Sequence, residues 1–407
     1  MLRSMYAGVS GLRNHQTRLD VIGNNIANVN TIGFKSSRVT FKDLFSQTLR
    51  AATSAQSGRG GSNPIQVGLG MTLASIDTDH GDGSIQYTGK ATDLAIEGSG
   101  FFIIRDGNTL MYTRAGNFDL DEEGYLVVPG TGYRVQGLDL ASGVDGKLTD
   151  IRVSTGTPFN PVATTYVEFA NNLNVETEPG AEISAPFEVY DSLGRMHTVV
   201  ITITRKDAPN SWSWQISPPA GSSGVSGGSG VLVFDSKGVL SSPTTMPTIT
   251  IGMTGTGADP IEITLDFSAV TGAAGETSIA IAYRDGAPQG SLQSYSIDGA
   301  GNIVGEFSNG LIRNVGQIAL ARFANPAGLM KVGNTAFVES INSGLKQIGQ
   351  AGTAGFGSIA SSSLEMSNVD LSLEFTEMIV TQRGLQANSR IITTSDEVLQ
   401  EVVNLKR

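Results

Sequence analysis

The stretch Leu19-Asp-Val-Ile-Gly-Asn-Asn-Ile-Ala-Asn-Val-Asn-Thr-Ile-Gly-Phe-Lys35 decides how this chain is organised. It closes an N-terminal segment whose apolar residues recur mostly three, four or seven positions apart, which predicts the narrow seam of a coiled-coil helix. Asn24, Asn25 and Asn28 crowd the last turns, and Asn30 with Gly33 predicts a left-handed cap that ends the helix. The N-terminal seam residues are Leu2, Met5, Val9, Leu12, Leu19, Ile22 and Ile26.

A second apolar seam occupies the C-terminus, where large residues recur every seventh position. The small polar residues Thr381, Asn388 and Ser395 fall between them, so this helix can approach a neighbour closely. The spacing predicts a helix over residues 364–407. The C-terminal seam residues are Leu364, Leu371, Met378, Leu385, Ile392 and Leu399.

The two seams together contain thirteen large apolar side chains. Their burial would contribute roughly 20–40 kcal/mol before ordering entropy is subtracted. One interpretation is an ordinary helix pair within a single chain. We expect instead a ring of such pairs from several chains, because one solitary pair cannot enclose all of these side chains.

Composition excludes several classes of protein. The 407 residues carry a net charge of −11, which argues against nucleic acid or an anionic membrane as a partner. The chain contains no cysteine, so disulfides and thiolate chemistry are excluded. No secretory signal and no apolar run of about 20 residues is visible, so no membrane insertion is expected.

Between the helices the pattern changes to the period of two that is typical of β-strands. Asp106-Gly107 lies between two apolar runs and predicts a hairpin. Val199, Ile201 and Ile203 alternate with polar residues, as do Ile261, Ile263, Leu265 and Phe267. An Asp-x-x-Gly pattern recurs at Asp121, Asp191, Asp235 and Asp298, and we interpret it as a repeated turn.

Motifs of enzymes and metal sites are incomplete. Asp119–Gly124 fits the start of a calcium loop, but Gly130 stands where a bidentate glutamate is required. Gly224-Val-Ser-Gly-Gly228 matches a nucleophile elbow without its strand and helix. His15, His80 and His197 show no ligand spacing. The sequence therefore predicts no enzyme, no cofactor and no metal.

The two termini resemble those of bacterial flagellar rod and hook proteins. The resemblance rests on Gly23–Asn28, on Gly33-Phe34-Lys35, on Ser367–Leu371 and on Gln386-Ala-Asn388-Ser-Arg390. These motifs occur in the right order at opposite ends of the chain. One departure is internal: the family usually has an aromatic residue and then a glutamine where this chain has His80 and Asp82.

The resemblance implies a mainly β protein with α-helical termini and a nested architecture. Two β-rich domains are inserted between the N- and C-terminal coiled-coil helices. We expect a terminal helical domain over 1–30 and 364–407, an extended connector over 31–70, an inner β domain over 71–144 and 285–363, and an outer β domain over 145–284. Within the connector, a short amphipathic turn is expected at Phe41, Leu44, Phe45 and Leu49.

The implied function is structural. The outer domain, which the shorter rod proteins lack, favours a hook subunit that self-assembles into a curved hollow tube and passes torque from rod to filament. The implied partners are further copies of itself, the hook cap, the distal rod, the hook–filament junction proteins and the export apparatus. The implied location is the extracellular hook, reached without a cleaved signal. Asn24, Asn28, Gln386 and Asn388 are expected to fix register. A distal rod subunit and a surface adhesin or carbohydrate-binding protein are the alternatives.

Overall fold

A computed structural model describes residues 2–54, 60–138, 147–154, 156, 158–254 and 257–404. The chain divides into two compact units. Unit 1 comprises Met1–Val153, Ser296–Val304 and Asn314–Arg407, and unit 2 comprises Ser154–Tyr295 and Gly305–Arg313. Unit 2 is thus inserted into unit 1, and both termini are helical, which confirms the predicted fold class.

Unit 1 begins with one long helix and a series of short strands. These are α1 (Leu2–Ala27), β1 (Ser37–Asp43), β2 (Ser46–Arg50), β3 (Ile65–Gly68), β4 (Met71–Thr78), β5 (Ile85–Tyr87), β6 (Leu94–Glu97), β7 (Phe101–Asp106), β8 (Thr109–Thr113), β9 (Asp119–Leu120), β10 (Leu126–Val127), β11 (Arg134–Leu138) and β12 (Leu148–Asp150).

The strands of the insertion follow, and the last three of this series carry the chain back into unit 1. They are β13 (Pro158–Phe159), β14 (Tyr166–Asn174), β15 (Glu182–Tyr190), β16 (Met196–Arg205), β17 (Ser211–Ser217), β18 (Ser222–Ser226), β19 (Ser229–Phe234), β20 (Leu240–Ser242), β21 (Thr248–Met253), β22 (Ile261–Ala273), β23 (Ala280–Arg284), β24 (Gly290–Ile297), β25 (Asn302–Phe307) and β26 (Ile312–Arg322).

Unit 1 then ends with short strands and the second long helix. These are a 3-10 turn (Pro326–Gly328), β27 (Met330–Gly333), β28 (Ala336–Val338), β29 (Gln347–Gln350), β30 (Ser358–Ser361), β31 (Ser363–Glu365) and α2 (Leu371–Asn404).

The main sheet of unit 1 holds the predicted hairpin. Its strands follow the order β26-β11-β7-β8-β28-β27. β7 and β8 pair from Phe102↔Thr113 to Asp106↔Thr109, and Gly107 between them has φ +56°. Phe101, Ile103 and Tyr112 join Phe323 and Phe337 in a core on this sheet. The hairpin prediction from Asp106-Gly107 is confirmed.

Unit 2 contains a β-sandwich of two five-stranded sheets, ordered β18-β21-β22-β14-β23 and β15-β16-β17-β19-β20. The alternating apolar residues of β16 and β22 are buried together with Trp212 and Trp214 in one core. The predicted strands are therefore confirmed. Because both tryptophan rings lie in this core, neither offers the exposed stacking face that a carbohydrate-binding module would use.

The four Asp-x-x-Gly segments form one kind of turn. In each, an aspartate Oδ1 accepts a hydrogen bond from the backbone N–H four residues later, and the glycine has positive φ, as the turn interpretation requires. The bonds are Tyr125 N to Asp121 (2.7 Å), Arg195 N to Asp191 (2.8 Å), Val239 N to Asp235 (2.9 Å) and Asn302 N to Asp298 (2.8 Å), with φ of 84°, 79°, 78° and 79° at Gly124, Gly194, Gly238 and Gly301.

The segment expected to be an extended connector is largely paired. β1 pairs with β4, and β2 pairs with β3, so these four strands form two antiparallel ladders, one nested within the other in sequence. Phe41 lies in β1 and Leu49 in β2, which corrects the predicted amphipathic turn. The physical reason is alternation: Val39 is buried while its neighbour Arg38 is exposed, a period of two that fits a strand with one covered face.

Candidate assembly surface and helix root

The helices α1 and α2 pack against each other within unit 1. Met378, Leu385, Ile392 and Leu399 are half-buried, and the intervening Thr381 and Ser395 are buried. Glycines permit the close approach. A Cβ on Gly11 would lie 2.6 Å from the Asn388 side chain, and one on Gly384 would lie 2.8 Å from Nε2 of His15. The contact therefore depends on small residues as much as on the apolar seam.

The remaining seam residues differ in burial. Ile22 is buried; Met5, Leu12, Leu19 and Ile26 are half-buried; Val9 and Leu371 are exposed. The side chain of Leu2 lies outside the described residues. A single helix pair thus leaves part of the predicted seam uncovered.

Leu364 requires a correction, because it does not belong to the helix. It lies in β31, where Leu364 pairs with Gln86 of β5. The helix starts only at Leu371, because Asp370 Oδ1 accepts hydrogen bonds from the backbone N–H of Ser372 (2.8 Å) and Leu373 (3.2 Å). An aspartate that caps the first turn in this way fixes the N-terminus of the helix.

Asn25 is a buried polar residue of α1 that bonds to the other helix. Its Nδ2 donates to the Ser37 carbonyl (2.9 Å) and to Oε1 of Glu374 (2.8 Å), and its Oδ1 accepts from Ser37 N (3.0 Å). One amide therefore joins α1, β1 and α2. Arg18 and Glu377 add an ion pair of 3.1 Å between the two helices.

Of the four residues that we expected to fix register, three do not lie between the two helices of one chain. Asn28 Nδ2 donates to the carbonyl (2.8 Å) and Oδ1 (3.0 Å) of Asn24 on the surface of α1. Gln386 and Arg390 are exposed on α2, and only Asn388 faces the partner helix. Within the chain, Asn25 occupies the position that the prediction gave to Asn24 and Asn28.

Below the helices lies a buried charge cluster, which we call the helix root: Lys35, Glu365 and Arg114. Lys35 Nζ lies 2.5 Å from Oε1 of Glu365, and Arg114 lies 3.2 Å from Oε2. The Lys35 and Glu365 side chains are 0% exposed and Arg114 is 4% exposed. Burial lowers the pKa of Lys35, and the Glu365 carboxylate acts in the opposite direction.

Backbone groups complete the helix root. Lys35 Nζ also donates to the Gly81 carbonyl (2.7 Å), and Gly83 N donates to Glu365 Oε1 (3.0 Å). Arg114 donates to the Gly98 carbonyl (2.7 Å). Every buried charge is thus paired and hydrogen-bonded, which is the condition for tolerating charge in an interior.

His80 and Asp82, the two departures from the family pattern, both lie beside the root. The His80 ring packs edge-on against Phe101 at 5.6 Å and tilted against Phe337 at 5.3 Å, so it takes a place that an aromatic residue can occupy. Burial, and then the charges of Lys35 and Arg114, lower the pKa of His80 to about 4. Asp82 lies 3.4 Å from Arg114 and is half-exposed.

Gly33 and Asn368 attach the root to both termini. Gly33 N donates to the Glu365 carbonyl (2.8 Å), and Asn368 Oδ1 accepts from Ser36 N (2.8 Å). Gly33 has φ +66°, but it lies six positions beyond the end of α1, so it shapes the root and does not cap the helix. Phe34 is half-buried, with Lys331 Nζ 5.2 Å from its ring centre.

A second apolar stripe on α2 was missed from the sequence. It consists of Leu373, Val380, Ile391, Val398 and Val402, all exposed, at spacings of 7, 11, 7 and 4 that keep them on one side of a helix. We call these residues the outer stripe. A search for apolar residues that recur seven or eleven positions apart would have found it, but the stronger heptad of Met378, Leu385 and Ile392 obscured it.

No described helix is both long and apolar enough to cross a bilayer. The acidic segment that resembles a calcium loop is instead the Asp121 turn, and Asp119 forms an ion pair of 3.2 Å with Lys90. His197 contacts Asp191 at 3.0 Å within unit 2.

Four protein-family profiles match the chain. They are described as flagella basal body rod protein (residues 5–35), flagellar hook protein FlgE/F/G D1 domain (95–178), flagellar basal body protein FlaE D2 domain (145–287) and flagellar basal body rod FlgEFG protein C-terminal (360–405). The helix root is formed by residues inside three of these matches.

Full-length relatives and one solved structure agree with these matches. Flagellar hook protein FlgE is 42% identical in Borreliella burgdorferi and 40% identical in Treponema pallidum, each over 100% of both chains. Flagellar basal-body rod protein FlgG of Bacillus subtilis is 36% identical, also over 100% of both. The crystal structure of Helicobacter pylori flagellar hook protein FlgE2 shares the fold, with a TM-score of 0.51, 16% identity, and coverage of 69% of this chain and 100% of that one. The chain therefore belongs to the flagellar hook protein family and is a structural subunit of the hook.

Proposed function

We propose that this subunit polymerises into a curved, hollow tube that transmits torque as a flexible joint, with the terminal helices forming the inner tube. The observation that carries the proposal is the outer stripe of α2, five apolar side chains that the partner helix α1 leaves exposed. A row of exposed large apolar side chains along one side of a helix marks an interaction site in a soluble protein.

A second copy of the chain is the partner that fits the outer stripe. About half of each side chain is exposed, so covering one contributes roughly 1 kcal/mol. Covering all five contributes roughly 5 kcal/mol to each contact between neighbouring subunits, before the costs of ordering are subtracted. The seam and the outer stripe occupy different sides of α2, which lets one helix contact its own α1 and a neighbour at once.

The same proposal covers the rest of the assembly. Units rich in glycine and polar residues would lie outside the helices, where wet contacts can slide as the tube bends. The subunit would reach the hook through the flagellar export apparatus without a cleaved signal. There it would meet the hook cap, the distal rod and the hook–filament junction proteins.

The test compares three substitutions on α2 in the full-length protein under ammonium sulfate, which strengthens apolar burial. Ile391→Asp should abolish tubes seen by negative-stain electron microscopy, while circular dichroism shows that the helices persist. Leu385→Asp should abolish tubes and also loosen α1 from α2, because it faces the seam. Ser389→Asp, an exposed position outside both stripes, is the matched control and should polymerise as wild type does.

The outcomes separate the alternatives. Curved tubes from wild type and none from Ile391→Asp support the proposal. Straight tubes from wild type would favour the rod assignment that the Bacillus relative carries. Normal tubes from Ile391→Asp would remove the outer stripe from the assembly.

A further inference from the structure

A rigid turn in unit 1 presents two aliphatic side chains to solvent. Ile341 is 107% exposed and Leu345 is 90% exposed. Ser343, which lies between them, is 0% exposed; its Oγ donates to the Ser340 carbonyl (2.8 Å), and Ser340 N donates back to that Oγ (3.2 Å). A turn that is fixed by its own hydrogen bonds holds Ile341 and Leu345 where they cannot fold back onto the protein.

The same face contains an open cavity of about 430 Å³. It is lined by Phe101, Phe323, His80, Arg114, Arg322 and Gln347. Arg322 and Gln347 are cross-strand partners in β26 and β29, and Leu345 precedes Gln347 by two residues. The exposed turn and the cavity therefore adjoin along one strand.

Arg322 contributes a positive charge and hydrogen-bond donors to this cavity. One terminal nitrogen donates to the carbonyls of Gly355 (3.1 Å) and Ala354 (3.5 Å), and the guanidinium lies over the Phe356 ring. Among the described residues no carboxylate lies within ion-pair distance of Arg322. The side chain is held in place while part of its planar donor fork stays available.

A second arginine and a histidine line the same cavity. Arg114 is almost fully buried, and its Nε has no hydrogen-bond partner among the described residues; nor has either ring nitrogen of His80. The Arg114 guanidinium is already paired with Glu365, so it contributes positive charge to the cavity wall, whereas Arg322 keeps the donors that can bind a carboxylate.

We propose that this face of unit 1 is an inter-subunit contact, in which the cavity receives a carboxylate side chain from a second copy of the chain while Ile341 and Leu345 pack beside it. The inference rests on the proposed polymerisation. Charge supports the partner, because each copy carries 38 acidic against 27 basic residues. A pocket on one copy filled by a different surface of the next is a heterologous contact, which generates an open helical polymer.

The experiment measures the critical concentration for polymerisation of the full-length protein by sedimentation. Arg322→Glu should raise it at least tenfold, since the carboxylate would then meet a like charge. Leu345→Asp should also raise it, and this side chain is too exposed for the change to disturb folding. Arg195→Glu, the same charge reversal at an exposed arginine of unit 2, is the matched control and should leave it within twofold.

A photo-crosslinking residue at position 345 then identifies the partner. In polymers it should crosslink between chains, to a peptide that contains an aspartate or glutamate. Wild-type critical concentrations for both Arg322→Glu and Leu345→Asp would overturn the inference and leave the proposed function intact. Failure of wild type to polymerise would refute the proposed function, and the inference with it.

Discussion

Glu365→Gln is the most informative single change in the helix root. The substitution keeps the volume and one acceptor oxygen, so Gly83 N retains a partner. It removes the negative charge that lies 2.5 Å from Lys35 and 3.2 Å from Arg114, and it turns an amide N–H₂ toward one of these cations. Two positive charges, 0% and 4% exposed, are then left without a buried carboxylate.

Breaking a buried ion pair from one side costs about 3–5 kcal/mol. In a unit of this size each kcal/mol corresponds to about 2–4 °C, so unit 1 should melt roughly 6–20 °C lower. Asp82→Asn is the matched control, because it removes a carboxylate from the same Arg114. Asp82 is 54% exposed and lies 3.4 Å away, so its loss should cost only about 0–1 kcal/mol.

The assay can report on the two units separately. Both tryptophans, Trp212 and Trp214, lie in unit 2, so tryptophan fluorescence follows that unit, whereas hydrogen exchange at β5, β8 and β31 follows unit 1. We expect Glu365→Gln to accelerate exchange in unit 1 and to leave the fluorescence transition in place. Equal costs for Glu365→Gln and Asp82→Asn would refute the argument from burial.

Two further predictions concern unit 1. His80 has its pKa held near 4 in the folded state against about 6.5 unfolded, so the unfolded chain binds the extra proton. The stability of the wild type should therefore fall by up to roughly 3 kcal/mol as pH drops from 6.5 to 4, relative to His80→Phe, which lacks the titrating group. Urea titrations of the two proteins should show this relative loss, and parallel curves would contradict the pKa. Gly33→Ala should destabilise unit 1 by more than 2 kcal/mol, because φ is +66° and the new Cβ would lie 2.4 Å from Ala115 N. Gly130→Ala, at φ +82° in open space, should cost only about 1 kcal/mol, and equal thermal shifts would show that the close approach does not matter.

The sequence predicted best those features that depend on local spacing. The heptad of Met378, Leu385 and Ile392 identified the side of α2 that meets α1, and the small Thr381 and Ser395 indicated the close approach. The Asp-x-x-Gly turns followed from two residues and their backbone preferences. The start of α2 could also have been predicted, because Asp370 is a strong capping residue. The heptad spacing extends back to Leu364, and following it placed the start of the helix too early.

The helix root could not be predicted in this way. Lys35 and Glu365 are separated by 330 residues, and periodicity carries no information about which buried charges will meet. Of three neighbouring asparagines, Asn25 is the one that bonds Ser37 and Glu374, and these contacts between distant parts of the chain leave no mark in local spacing. The outer domain over 145–284 stays a prediction; the compact unit 2 comprises Ser154–Tyr295 and Gly305–Arg313.

The sequence separation between Lys35 and Glu365 also determines when the helix root can form during synthesis. Lys35 and Arg114 are synthesised first, and the carboxylate that neutralises both follows only with Glu365, 330 residues after Lys35. Until then two cations destined for the interior must remain in water, so the base of α1 stays open. The helix root can close only after Glu365 has been synthesised. A chain that terminates before Glu365 therefore lacks the contact at the place where the two long helices should be joined.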